Sequence, residues 1–150
     1  MALPDPQPGL VIRYAYLWRS DADRGLEEGG KDRPCAVVVA IRHAGEQIRV
    51  VVAPITHSPP RNLGEAVEVP ALTKARLQLD HERSWVITKE VNIFTWPGPD
   101  LRLVDRTAPS KGVAYGYLPE KTTRRIVESL RGHMRGGRAA AVNRDEPPIR

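Results

Sequence analysis

Residues 31–56, "KDRPCAVVVAIRHAGEQIRVVVAPIT", decide the fold. The run from Pro34 to Arg42 is apolar and largely β-branched, and so is the run from Ile48 to Thr56. Branching at Cβ restricts χ1 and suits a pleated, buried surface, so both runs read as strands. Only residues 43–47, with Gly45 at their centre, separate them. A connection that short joins antiparallel neighbours, and the stretch reads as a hairpin. Pro34 stands at the first strand position, where no ladder donor is required. Counting outward from a turn centred near Gly45 sets residue 33 across from a position near 57. Arg33, Thr56 and His57 are therefore expected to meet at one rim of the sheet.

Upstream lies "GLVIRYAYLW", residues 9–18, in which both alternating sets are mostly apolar. This is a strand covered on much of both faces. "RSDADRGLEEGGKD", residues 19–32, is polar and glycine-bearing and reads as a long loop above the same rim. Loops of that length in a compact domain are usually functional or disordered. The proline-rich residues 1–8 read as a flexible N-terminal segment.

Downstream, residues 66–70 read as a short strand and 71–79 as one or two helical turns, with Leu72, Arg76 and Leu79 near one face. "SWVITKEVNIF", 84–94, reads as another strand, and 101–104 and 112–117 as short ones. The spacing predicts a helix over 119–134. Pro119 opens its first turn, Ile126, Val127, Leu130 and Met134 form an apolar stripe, and Arg124, Glu128 and Arg131 form a solvated face. Residues 135–150 carry few core side chains and read as a flexible tail. A run of strands followed by one helix implies a single mainly β domain over 9–134: a small antiparallel barrel or curled sheet with a C-terminal helix packed on it.

Composition narrows the function. The chain has 150 residues, enough for one core, and only 5% aromatics, so Val, Ile, Leu and Ala must fill most of it. A net charge of +5 and a pI near 9.7 favour a polyanionic partner such as nucleic acid or an acidic protein. The lone Cys35 excludes an internal disulfide, fits a reducing, cytoplasmic setting, and reads as an inert core thiol. "MALPDPQPG" lacks the basic and apolar regions of a signal peptide. The longest apolar run, 35–41, falls far short of the ~20 residues a membrane span needs, so no membrane association is expected. Phosphate-binding glycine loops, zinc-protease and serine-hydrolase motifs are absent, and the four histidines show no metal-ligand spacing. No cofactor and no metal are expected.

The rim suits a phosphate. A guanidinium offers a fork of donors matching two phosphate oxygens and keeps its charge. Cleaving RNA without metal needs a base for the 2′-OH proton, an acid for the leaving 5′-oxygen, and positive charge for the transition state. Arg33 supplies the charge in this reading, Thr56 holds a phosphate oxygen, and His57 or Glu90 acts as base. Lys31 and Arg61 are candidate phosphate contacts, and Trp85 a candidate stacking platform for a base. The competing reading pairs Arg33 with Glu27, Glu28 or Asp32, where it merely pins the loop.

The series "GLVIRYAYLW…KDRPCAVVVAIR…IRVVVAPITHSPP" resembles the MazF/PemK/Kid family of toxin-type endoribonucleases. Gly9 opens the first strand, Arg33-Pro34 begins the second, and "VVVAPITHS" ends the third. The match is good over about residues 9–60 and weaker through "SWVITKEVNIF" and the helix. The resemblance implies an SH3-like barrel with a C-terminal helix, usually a homodimer. It implies metal-independent cleavage of single-stranded RNA, as the growth inhibitor of a type II toxin–antitoxin system. It also implies a cognate acidic antitoxin in the RNA groove and operator DNA reached through that antitoxin. By motif position the family's arginine falls on Arg33, its threonine on Thr56, and an acidic position of the later strand on Glu90. Four positions depart from the pattern: Leu10 replaces an acid, His57 a serine or threonine, Val91 a glutamine, and Ile93 an arginine. These departures define the alternative, a catalytically weak or inactive barrel that binds RNA, DNA or a partner protein.

Overall fold

The computed structural model describes residues 3–26, 31–45 and 47–145. Among them the chain is mainly β, with eight strands in one sheet and a long helix after the seventh. The strands are β1 (Leu10–Tyr14), β2 (Arg33–Arg42), β3 (Ile48–Thr56), β4 (Ala66–Glu68), β5 (Trp85–Ile87), β6 (Glu90–Thr95), β7 (Ala114–Tyr117) and β8 (Ala140–Asn143). The helices are α1 (Arg19–Asp23), α2 (Ala71–Arg76) and α3 (Glu120–Arg135). Pairing runs β4-β5-β3-β2-β1-β7, with β6 also on β3 and β8 on β6. Every pair is antiparallel except β6–β8. The path ends β4 and β7 do not pair with each other, so the ladder is not closed. No described helix is long and apolar enough to cross a membrane.

The hairpin of β2 and β3 is the spine. Its register runs from Arg42↔Ile48 to Val39↔Val51, slips by one residue, and resumes at Val37↔Val52 through Cys35↔Pro54. The slip is a bulge, with an extra residue on β2. Continued past Cys35, the shifted register sets Arg33 across from Thr56 rather than His57. The bulge thus sets Arg33 and Thr56 at facing positions of the hairpin's open end. Both faces of the hairpin are buried. Ala36, Val38, Ala53 and Ile55 join Ile126 and Leu130 of α3 in one core. Cys35, Val37, Val50 and Val52 join Ile12, Tyr14 and Phe94 in the other. Such double burial explains near-continuous apolar strands, since neither face needs polar residues.

Several elements differ from expectation. The apolar run 84–94 is not one strand. It breaks at Thr88-Lys89 into β5, paired with the end of β3, and β6, paired with its start. Thr88 fixes this corner, its Oγ1 lying 2.6 Å from Ser129 Oγ on α3. Residues 71–79 do not dock through Leu72, which is 87% exposed. The turn after α2 buries Leu77 instead, and α2 itself buries Thr73 and Lys74. Met134, in the last turn of α3, is exposed, whereas Ile126 and Leu130 are buried. The loop 19–32 contains α1, and Glu27 and Glu28 lie outside the described residues.

The tail reading is corrected over 140–145. β8 adds in parallel to β6 and buries Val142. Arg144 then closes the tail, with its side chain only 6% exposed, 3.2 Å from Asp100 and donating to the Ala15 carbonyl at 2.7 Å. The sheet therefore extends past residue 134.

Candidate functional site

The open end of the hairpin forms one wall of a cleft of about 420 Å³. Arg13 of β1, Lys31, Arg33 of β2, Thr56 of β3, His57 and Tyr115 of β7 all line it. Adjacent strands β3, β2, β1 and β7 present their ends to the same space, so the sheet order itself assembles the cleft. The cleft brings together Arg33, Thr56, His57 and Lys31, and adds Arg13 and Tyr115, which the sequence reading did not single out. Arg13 had a visible signal, a cation inside an otherwise apolar strand.

The charge in the cleft is lopsided. Asp32 also lines it but lies 3.6 Å from Arg102, and Asp80 is held by Lys74 at 2.6 Å. Arg13, Lys31 and Arg33 form no ion pair with any described residue. The pairing of Arg33 with Asp32 is thus not what the structure holds. The Arg33 guanidinium stacks over Trp18, 5.0 Å from the ring centroid, and its buried Nε has no acceptor among the described residues. An aromatic platform orients a guanidinium without neutralising it. Thr56 Oγ1 accepts the Ser58 N–H at 3.2 Å, which leaves its own proton available to an anion.

His57 is more constrained than expected. Its Nε2 lies 2.8 Å from Asp80 and 3.4 Å from Glu82, and its Nδ1 lies 3.1 Å from the Arg83 carbonyl and 3.2 Å from Ser84 Oγ. Both ring nitrogens are therefore engaged by neighbouring groups. Asp80 is anchored from behind by Lys74, whose buried ammonium also donates to Ser84 Oγ and to the Glu82 carbonyl. The hydrogen bond from Lys74 and the nearby His57 hold the Asp80 carboxyl below its usual range despite partial burial, the largest opposing effect. Ser84, His57 and Asp80 are in series like a nucleophile triad. Ser84 is only 2% exposed and accepts the lysine proton, so it is not presented to a substrate. Lys74, Asp80 and Ser84 carried no signal in the sequence, because their meeting depends on how the 77–84 segment folds back.

Three candidate residues lie elsewhere. Glu90 is not in the cleft. Its Oε2 accepts the Tyr16 hydroxyl and the Arg19 N–H, each at 3.0 Å, and burial raises its pKa. Trp85 is 8% exposed, paired between Thr56 and Glu68, with Arg83 over its ring at 5.1 Å, so no face is open to a base. Arg61 is exposed and does not line the cleft. Cys35 is fully buried, and burial pushes its thiol pKa far up, which makes it a poor nucleophile. His57, Asp80 and Glu82 form a group with metal-ligand proximity, which the linear spacing of the histidines does not reveal.

No known family model matches the chain, and no curated protein matches it.

Proposed function

We propose that the chain is a toxin-like endoribonuclease that cleaves single-stranded RNA in this cleft without requiring a metal. The observation that carries the proposal is the convergence of Arg33 and Thr56, residues far apart in sequence, on one wall whose cations, Arg13, Lys31 and Arg33, form no ion pair among the described residues. In this reading Arg33 grips two oxygens of the scissile phosphate and stabilises the charge that develops as the 2′-oxygen attacks phosphorus. Thr56 donates its hydroxyl proton to a phosphate oxygen. Arg13 and Lys31 hold the flanking phosphates. Attack forms the O2′–P bond and breaks the P–O5′ bond, giving a 2′,3′-cyclic phosphate and a 5′-hydroxyl. The 2′-hydroxyl gives its proton to His57 Nε2 once that nitrogen has left Asp80, and the departing 5′-oxygen takes up a proton from water. The SH3-like barrel, the homodimer, the acidic antitoxin with its operator DNA, and the cytoplasmic setting belong to the same proposal, supported by the basic charge and the sequence resemblance.

A second reading, a non-catalytic RNA-binding cleft, draws on a specific observation. Both His57 nitrogens are engaged and Glu90 is turned away, so neither candidate base is free among the described residues. One experiment separates the two. A long unstructured RNA is incubated with the purified protein in a chelator, and the new ends are mapped. Cuts at one short motif, lost in Arg33→Ala, support the nuclease. Retained but uncut RNA supports the binding module, and RNA neither cut nor retained removes both.

A further inference from the structure

We propose that His57, Asp80 and Glu82 form a binding site for a divalent cation of the zinc class at the wall of the cleft. The three residues come from two segments, the start of the loop after β3 and the turn between α2 and β5. Their ligand atoms lie within 4.8 Å of one another, with Nε2 at 2.8 Å from Asp80 Oδ2 and 3.4 Å from Glu82 Oε2. A tetrahedral ion with bonds near 2.1 Å needs ligand atoms about 3.4 Å apart, so the His57–Glu82 spacing already fits, His57 and Asp80 must part by about 0.6 Å, and the two carboxylates must close by at most about 1.4 Å.

The surroundings of the ligands also fit. A metal-binding histidine ordinarily hydrogen-bonds through its other nitrogen, which fixes the ring. Here Nδ1–H points at the Arg83 carbonyl, 3.1 Å away, and turns Nε2 toward both carboxylates. The Asp80 oxygen not offered to His57 is bonded to Lys74, whose side chain is 6% exposed and fixed by Ser84 and the Glu82 carbonyl. Two carboxylates against one ammonium leave a net negative charge when the imidazole is neutral, so the site has room for a further cation. The ion would take the place of the His57–Asp80 contact at Nε2.

The donor set selects the ion. One imidazole nitrogen with two carboxylate oxygens favours zinc and its neighbours over magnesium or calcium, which take oxygen alone. Three protein ligands leave a fourth position open, and because His57 and Asp80 both line the cleft, that position is accessible from it. The cation site does not rest on RNA cleavage, and its test uses no RNA.

The test is calorimetric titration of the tag-free full chain with zinc chloride, and separately with magnesium chloride. One zinc per chain is expected and no magnesium binding at the same concentrations. His57→Gln and Glu82→Gln should each weaken zinc binding at least tenfold. Glu82 is strongly exposed, so its variant keeps the fold whatever happens to the other. Exposed His81, outside the cluster, serves as control, and His81→Ala should bind zinc like the parent. Zinc should also raise the unfolding temperature of the parent and not that of Glu82→Gln. Absence of zinc binding, equal affinity in both variants and the parent, or loss of binding in His81→Ala would each overturn the proposal.

Discussion

Replacing Lys74 by Met tests how the His57 wall of the cleft is held. The change keeps an unbranched side chain of similar length, so it opens no large cavity. It removes an ammonium whose side chain is 6% exposed and which bonds Asp80 and Ser84 Oγ, each at 2.6 Å, and the Glu82 carbonyl. Removing one partner from a buried charged pair costs about 3–5 kcal/mol, most of it from stranding the other charge. Asp80 is half-exposed and regains water, so the lower end applies, about 3 kcal/mol. In a domain of this size each kcal/mol moves the unfolding temperature by about 2–4 °C, which gives a fall of about 6–12 °C. Urea unfolding followed by far-UV circular dichroism should show a lower midpoint with an unchanged slope. A loss below about 1 kcal/mol would refute the reasoning, because it would mean that burying the ammonium offsets all that its bonds contribute.

Two further predictions follow from buried groups. Burial raises the Glu90 carboxyl above its ordinary 4.5, so the folded state binds the proton more tightly than the unfolded chain does. That contribution to stability is present below the ordinary value and is lost as pH rises through the raised one. Glu90→Gln keeps an acceptor for Tyr16 and Arg19 without the charge. Its unfolding temperature should therefore gain on the parent as pH rises through this window, and parallel pH profiles would contradict the assignment. Cys35, fully buried with a raised thiol pKa, should resist an aromatic disulfide reagent in the folded protein and react fully in denaturant. Rapid labelling of the folded protein would place it at the surface.

The hairpin was legible because its two β-branched runs and short turn depend only on local pattern. The register was legible to within one residue. The bulge between Val37 and Val39 has no sequence signal, yet it decides that Arg33 is across from Thr56 rather than His57. The corner at Thr88 was hidden because a continuous apolar run looks alike whether it follows one partner or turns between two. β8 was hidden because the short "AAVN" carries only one buried hydrophobic residue, Val142, and the long-range contact of Arg144 with Asp100 beside it leaves no local pattern. Within the cleft, Arg33 and Thr56 could be paired by counting along neighbouring strands. The grip of Lys74 on Asp80, and of Asp80 on His57, could not, because it is set by the path of an irregular segment.

The most direct measurement of the central claim is a double-mutant cycle on RNA cleavage under single-turnover conditions in a chelator, with Arg33→Ala, Thr56→Val and the two combined. If guanidinium and hydroxyl grip the same phosphate, the double variant loses about as much rate as the worse single one. Losses that multiply independently, or a parent protein that cuts no RNA, would contradict it.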